Sequence, residues 1–137
     1  MVLAAEGGAL KKMLPAFRVG LGGRLGSGRQ YVSWIALEDL MRVICFAIEN
    51  ESLAGPINAV APHSVSNAEF TKVLANALRR PAFCHMPAFL LRFLLGPMAD
   101  ELLLASARVE PTKLLKSGFS FHCAHLDEAL HTILRRP

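Results

Sequence analysis

Phe17-Arg-Val-Gly-Leu-Gly-Gly-Arg-Leu-Gly-Ser-Gly28 runs straight into Arg29-Gln30-Tyr31-Val32-Ser33-Trp34-Ile35-Ala36-Leu37-Glu38-Asp39. Five glycines between positions 20 and 28 predict a loop with unusual backbone angles. Tyr, Val, Trp and Ile directly after it predict a short strand over 31–36. A glycine loop invites a phosphate reading, and two motifs test it. A dinucleotide fingerprint starting at Gly20 and Gly22 needs glycine at 25, which is Leu25. A Walker loop from Gly23 to Gly28 needs Lys and Ser or Thr next, where Arg29 and Gln30 stand. Both fail at the residues that carry the chemistry, and no helix begins right after the loop. Two uses remain open: a structural loop, or one that meets substrate through Arg24, Arg29 and Gln30.

Downstream, Glu38 to Asn50 reads as a helix. Leu40, Val43, Ile44, Ala47 and Ile48 share one apolar face, and Glu38 and Asp39 complement the dipole in its first turn. Trp34 reads as core or as a ligand platform, Asp39 as a helix-start acid or a catalytic acid. Gly55-Pro56 ends the segment, and Ile57 to Ala61 reads as a buried strand. The next helix has the clearest punctuation. Ser66 and Glu69 form a capping box, and Val65 and Phe70 sit where a hydrophobic staple would. Phe70, Val73, Leu74, Ala77 and Leu78 make its buried face, Arg79 and Arg80 suit its carboxyl end, and Pro81 stops it. Phe83 to Met86 reads as extended. Helices are predicted over Pro87 to Leu95, Met98 to Ser106, Pro111 to Lys116 (ended by Gly118) and Leu126 to Leu134. Upstream, Val2-Leu3-Ala4 reads as the end of a buried strand and Ala9 to Met13 as a helical turn.

Composition bounds the function. One domain fits 137 residues. Counted with glycine and without tyrosine, apolar residues reach about 60%, against the usual 45–50%. The most apolar stretch, Met86 to Ala99, is broken by Arg92, Gly96 and Pro97, which is too short for a spanning helix. Ala4 to Leu10 carries Glu6 and two glycines, unlike a signal peptide. The excess therefore predicts a very helical core or a piece of a larger one. Net charge is +4, with no basic stripe among aromatics, which excludes nucleic acid as the expected partner and favours a small anionic ligand. Cys45, Cys84 and Cys123 are odd in number and widely spaced, as in a reducing, cytoplasmic setting, and read as small core residues. His122-Cys123-Ala124-His125 offers only three potential ligands and matches no zinc spacing. The other histidines, His63, His85 and His131, read as ordinary. The single tyrosine, Tyr31, is followed by Val, Ser, Trp and Ile, so no Tyr-x-x-x-Lys occurs in these residues.

Taken together, Gly20 to Gln30, Ser33-Trp34-Ile35, Asp39 and Gly55-Pro-Ile-Asn-Ala-Val-Ala-Pro62 resemble the atypical extended short-chain dehydrogenase/reductases of the SDR39U1-like or YfcH-like epimerase family. Glu69-Phe70, Arg80-Pro81, Gly96, Arg108-Val109, Pro111 and Gly118-Phe119 extend the likeness from about Val2 to Leu134. The resemblance implies a mostly helical α/β fold. It would be the carboxy-terminal, substrate-side lobe of an extended Rossmann protein, without the amino-terminal nucleotide-binding sheet and its Tyr and Lys. It implies two regions, 1–62 at the end of the Rossmann part and 63–137 as a helical domain of the DUF1731 type, with Ile57 to Ala61 a further strand of the sheet. NADP or NAD would be bound by the other lobe and none by this chain alone. Arg24, Arg29, Gln30, Trp34 and Asn58 are the expected substrate contacts, Arg for an anionic group and Gln and Asn for polar atoms. The family's W-I-H-I-D-D reads here as Trp34-Ile-Ala-Leu-Glu-Asp39, with Ala36 for the histidine and Glu38 for the first aspartate. The alternative is a non-enzymatic module built on the same fold. Its apolar surface would dock on a partner, the missing lobe or itself.

Overall fold

The computed structural model describes residues 1–87, 89 and 106–135. The helices expected over Pro87 to Leu95 and Met98 to Ser106 lie largely outside them. The chain folds as a mixed α/β structure with short strand pairs and longer helices. Strand β1 (Val2–Leu3) leads into helix α1 (Gly8–Arg18), then β2 (Gly23–Leu25), β3 (Tyr31–Val32) and β4 (Ile35–Ala36). Helix α2 (Leu37–Glu49) follows, then β5 (Val65–Ser66), α3 (Asn67–Leu78), β6 (Cys84–Met86), α4 (Thr112–Lys116) and α5 (Leu126–Arg135). Strands β1 and β4 pair in parallel, Val2 beside Ile35 and Leu3 beside Ala36. Each runs into a helix, the local arrangement of a parallel α/β sheet.

Helix α1 runs well beyond the expected turn at Ala9 to Met13, through Pro15 to Arg18. Proline removes one helical hydrogen bond. Here its ring faces solvent, while Leu10, Leu14 and Phe17, spaced i, i+4, i+7, stay buried and hold the helix together. The single strand expected over 31–36 is two, because Ser33 and Trp34 turn aside between them. The Ser33 hydroxyl donates to the Ala107 carbonyl at 2.6 Å and accepts from the Val109 N–H at 3.0 Å. Tyr31 then pairs with Ser66 and Val32 with Val65, antiparallel.

Ile57 to Ala61 forms no strand. The Ala61 N–H reaches the Trp34 carbonyl at 2.6 Å, but the contacts in and just before this segment otherwise go to loop and side-chain groups. The Asn58 amide donates to the Glu110 carbonyl at 3.3 Å, and the Lys113 ammonium donates to the carbonyls of Ala54 and Pro56. The backbone around this stretch is satisfied by loop contacts rather than by a ladder.

Two clusters make the core. One gathers Leu3, Leu10, Leu14, Phe17, Trp34, Phe70, Leu74, Leu126 and Leu130, drawn from both sides of residue 62. The other joins Ile35, Val43, Leu53, Leu114 and Phe119 beneath α2. The cysteines depart from expectation: Cys45 and Cys84 are exposed and Cys123 is half-buried. Cys45 lies on the outer side of α2 and Cys84 in an exposed strand, so neither reaches a cluster.

Candidate functional site

The two adjacent glycines at 22 and 23 are there for close packing. A Cβ at Gly23 would overlap the Cys84 carbonyl, and one at Gly22 the Phe17 ring. Without Gly23 β2 could not lie against β6, where Gly23, Arg24 and Leu25 pair in parallel with Cys84, His85 and Met86. The loop is then tied to the start of α3. The Asn67 N–H donates to the Gln30 carbonyl and the Ala68 N–H to the Gly28 carbonyl, both at 2.9 Å. The Glu69 N–H donates to the Ser66 hydroxyl at 3.2 Å, the expected cap. A helix start binds phosphate with free N–H groups. The loop's own carbonyls and Ser66 occupy these, so this glycine loop is not a dinucleotide cradle.

The pairing leaves a groove of about 540 Å³ between α3, β2 and β6. Ala68, Lys72, Ala75 and Asn76 project into it from one face of α3, spaced i, i+4, i+7, i+8. Arg80 and Phe83 close one end, with Arg24 and His85 across from the helix. The register sets Arg24 opposite His85, and the Arg24 Nε–H donates to His85 Nδ1 at 3.0 Å. Phe83 is 89% exposed.

The five expected substrate contacts do not converge. Arg24 alone lines the groove, and Arg29 is exposed nearby in sequence. Gln30 is buried, and its amide donates to the Leu25 carbonyl at 2.9 Å, bracing the loop. Trp34 is fully buried, its indole N–H donating to the His63 carbonyl at 2.9 Å, so it is a core residue here. Asn58 is exposed and bonds the Glu110 carbonyl. The groove residues Lys72, Arg80 and His85 were not anticipated. Their common signal was the polar face of α3 beside Arg80-Pro81.

Asp39 is the other residue that sequence reasoning undervalued. It is fully buried. One carboxylate oxygen accepts from the His122 N–H and the Arg42 guanidinium, the other from the Cys123 N–H, all at 2.9 Å. It therefore pins the first turn of α2 to the segment before α5. It also continues the buried row of Val43 and Phe46 by one helical turn, and that spacing was its signal. Among the described residues no cluster of His, Cys, Asp and Glu could hold a metal ion, and no helix is long and apolar enough to cross a membrane.

A short parallel strand pair whose strands each lead into a helix makes this an α/β fold, and its likeness to known structures makes it a lobe of the extended short-chain dehydrogenase/reductase kind. Residues 86–133 match a domain of unknown function, DUF1731. The epimerase family protein ML0860 of Mycobacterium leprae is 47% identical over 137 residues, all of this chain and 45% of that protein. Human epimerase family protein SDR39U1 is 38% identical over 98% of this chain and 46% of its own length. The crystal structure of human SDR39U1 with NADPH superposes with a TM-score of 0.94 and 37% identity, over 99% of this chain and 46% of that one. A nucleoside-diphosphate sugar epimerase from Corynebacterium glutamicum is more distant, with a TM-score of 0.68 and 33% identity over 24% of its chain. The chain belongs to the SDR39U1-like epimerase family, and it spans a little under half the length of the curated relatives it matches.

Proposed function

We propose that the chain serves as the substrate-side lobe of an NAD(P)-dependent oxidoreductase or epimerase of the short-chain dehydrogenase/reductase type, and is not catalytic by itself. The observation that carries this reading is the superposition on human SDR39U1, a protein crystallised with NADPH, at a TM-score of 0.94 over 46% of its length. NADP or NAD would be seated on the part of the full protein that the match leaves uncovered. Region 1–62 would close the Rossmann part and region 63–137 would cover the substrate. Arg24 and Arg29 would meet substrate directly. Gln30, Trp34 and Asn58 would act by holding the loop, strand and turn that shape the pocket. The free, widely spaced cysteines fit a reducing, cytoplasmic setting.

A second reading has its own observation. Leu37, Met41, Ile44 and Ile48 form an exposed apolar row on α2. Such a row suits a non-enzymatic module that docks on a partner or on another copy of itself, and equally suits packing against the rest of a larger enzyme.

One experiment separates them. The uncovered part of the Mycobacterium leprae relative is joined to this chain, and NADPH is titrated into the joined protein and into the 137-residue chain. Saturable binding is expected for the joined protein, with none for the shorter chain at the same concentrations. A joined protein that melts cooperatively yet binds no NADPH would sink the enzyme reading. Tight binding or turnover by the 137-residue chain alone would sink the division of labour.

A further inference from the structure

We propose that the groove between α3, β2 and β6 is a binding site for a small organic phosphate. Arg24, Lys72 and Arg80 grip the dianion, and the organic body lies against Phe83 and the alanines of the wall. The proposal deepens the reading above by naming a substrate class, and rests on it only in calling the ligand a substrate.

Size comes first. The groove holds about 540 Å³, within the roughly 300–1,000 Å³ typical of small-molecule sites. That is far more than a bare ion fills, and leaves room for an organic body beside the charge.

Charge comes second. Among the described residues, Arg24, Lys72, Arg80 and His85 line the groove and no carboxylate does. Arg24, Lys72 and Arg80 make no salt bridge among the described residues. The nearby acid Glu69 lies in the first turn of α3 and is not part of the lining. Three cations lining one groove give it a positive field that favours an anion. A phosphate monoester, close to doubly charged at neutral pH, answers three cations better than a carboxylate does.

Geometry comes third. The Arg24 Nε–H is spent on His85 Nδ1 at 3.0 Å, which holds the guanidinium in place and leaves its terminal N–H groups for a bidentate contact. The same bond sets the neutral His85 ring with its proton on Nε2, a further donor.

The body is defined by the walls. Ala68, Ala75 and Ala82 are small and leave room, and Phe83 stands 89% exposed at the end of the groove. An aromatic ring so placed offers a planar group a stacking face.

The test uses the 137-residue chain and three probes, phenyl phosphate, inorganic phosphate and phenol, followed by calorimetry and by chemical-shift changes at the groove. Phenyl phosphate is expected to saturate one site, inorganic phosphate to bind the same site more weakly, and phenol not to bind. Lys72→Gln and Arg80→Gln should each weaken phenyl phosphate roughly five- to tenfold, the loss of one charge-assisted contact. Both side chains are exposed, so both variants should keep the parent melting temperature. Phe83→Ala should pull phenyl phosphate down toward inorganic phosphate while leaving the latter unchanged. The idea is overturned by unsaturable binding, by equal binding of phenol, or by variants that bind phenyl phosphate as the parent does. Phosphate binding can fail while the joined protein still binds NADPH, and the reverse, so the two proposals stand or fall separately.

Discussion

Helices α2 and α3 are similar in length and both amphipathic, yet they meet the rest of the molecule in opposite ways. Helix α3 buries Phe70 and Leu74 in the main core and turns Lys72 and Asn76 to the groove. Helix α2 carries one broad apolar face, only part of it covered. Val43, Leu40, Phe46 and Ala47 pack on the second cluster, while Leu37, Met41, Ile44 and Ile48 lie beside them in solvent. Ile44 is 47% and Ile48 77% exposed, against the expectation that both belonged to the buried face. A narrow apolar stripe declares its partner side, and a broad one leaves open which part of it is covered. Asp39 ties α2 to the segment before α5. Its carboxylate fixes the rotation of the first turn against residues 122 and 123.

The contrast can be broken at four points, taken from the largest effect to the smallest. Phe70→Ala should cost roughly 3–5 kcal/mol of stability in urea unfolding, the penalty of emptying a packed aromatic site. Asp39→Ala should cost about 3 kcal/mol, because two partly buried N–H groups and the Arg42 guanidinium lose their acceptor. Loss of only a few tenths of a kcal/mol would show that α2 is oriented by its apolar residues instead. Ser66→Ala should cost about 1 kcal/mol by removing the α3 cap, read from the shift in denaturation midpoint. Ile48→Gln should leave the stability of this chain within about 0.5 kcal/mol, as for other exposed positions. In the joined protein the same change should be clearly destabilising if the row is covered there.

Legibility followed the same divide. The start, cap, staple and end of α3 were readable, since each is a short-range feature of neighbouring residues. The Ser66 hydroxyl and the buried Phe70 stand as the local sequence required, while the left-handed turn at Arg79, with its φ of 51°, was not foreseen at a non-glycine residue. Helix α4 and its stop at Gly118, with φ of 82°, were readable for the same reason. The groove was legible only in part. Arg24 was singled out, but Lys72, Arg80 and His85 lie about 50 to 60 residues further along, His85 coming to it through the β2–β6 pairing and the other two through the packing of α3 on β2. Gln30 and Trp34 looked like ligand groups because a polar amide and an indole suit that role. Their actual partners, the Leu25 and His63 carbonyls, are set by how the chain returns on itself.

By itself, the sequence determined the helix limits set by caps, prolines and glycines, the failure of both phosphate-loop motifs, and the family, because these depend on residue type and spacing alone. The tertiary structure decided the rest. It chose which part of the apolar face of α2 is covered, made Gly22 and Gly23 packing residues, carried α1 past Pro15, and gathered four basic side chains around one groove. Each of those outcomes turns on a contact between residues far apart in the chain, and local spacing holds no information about which distant backbone will arrive.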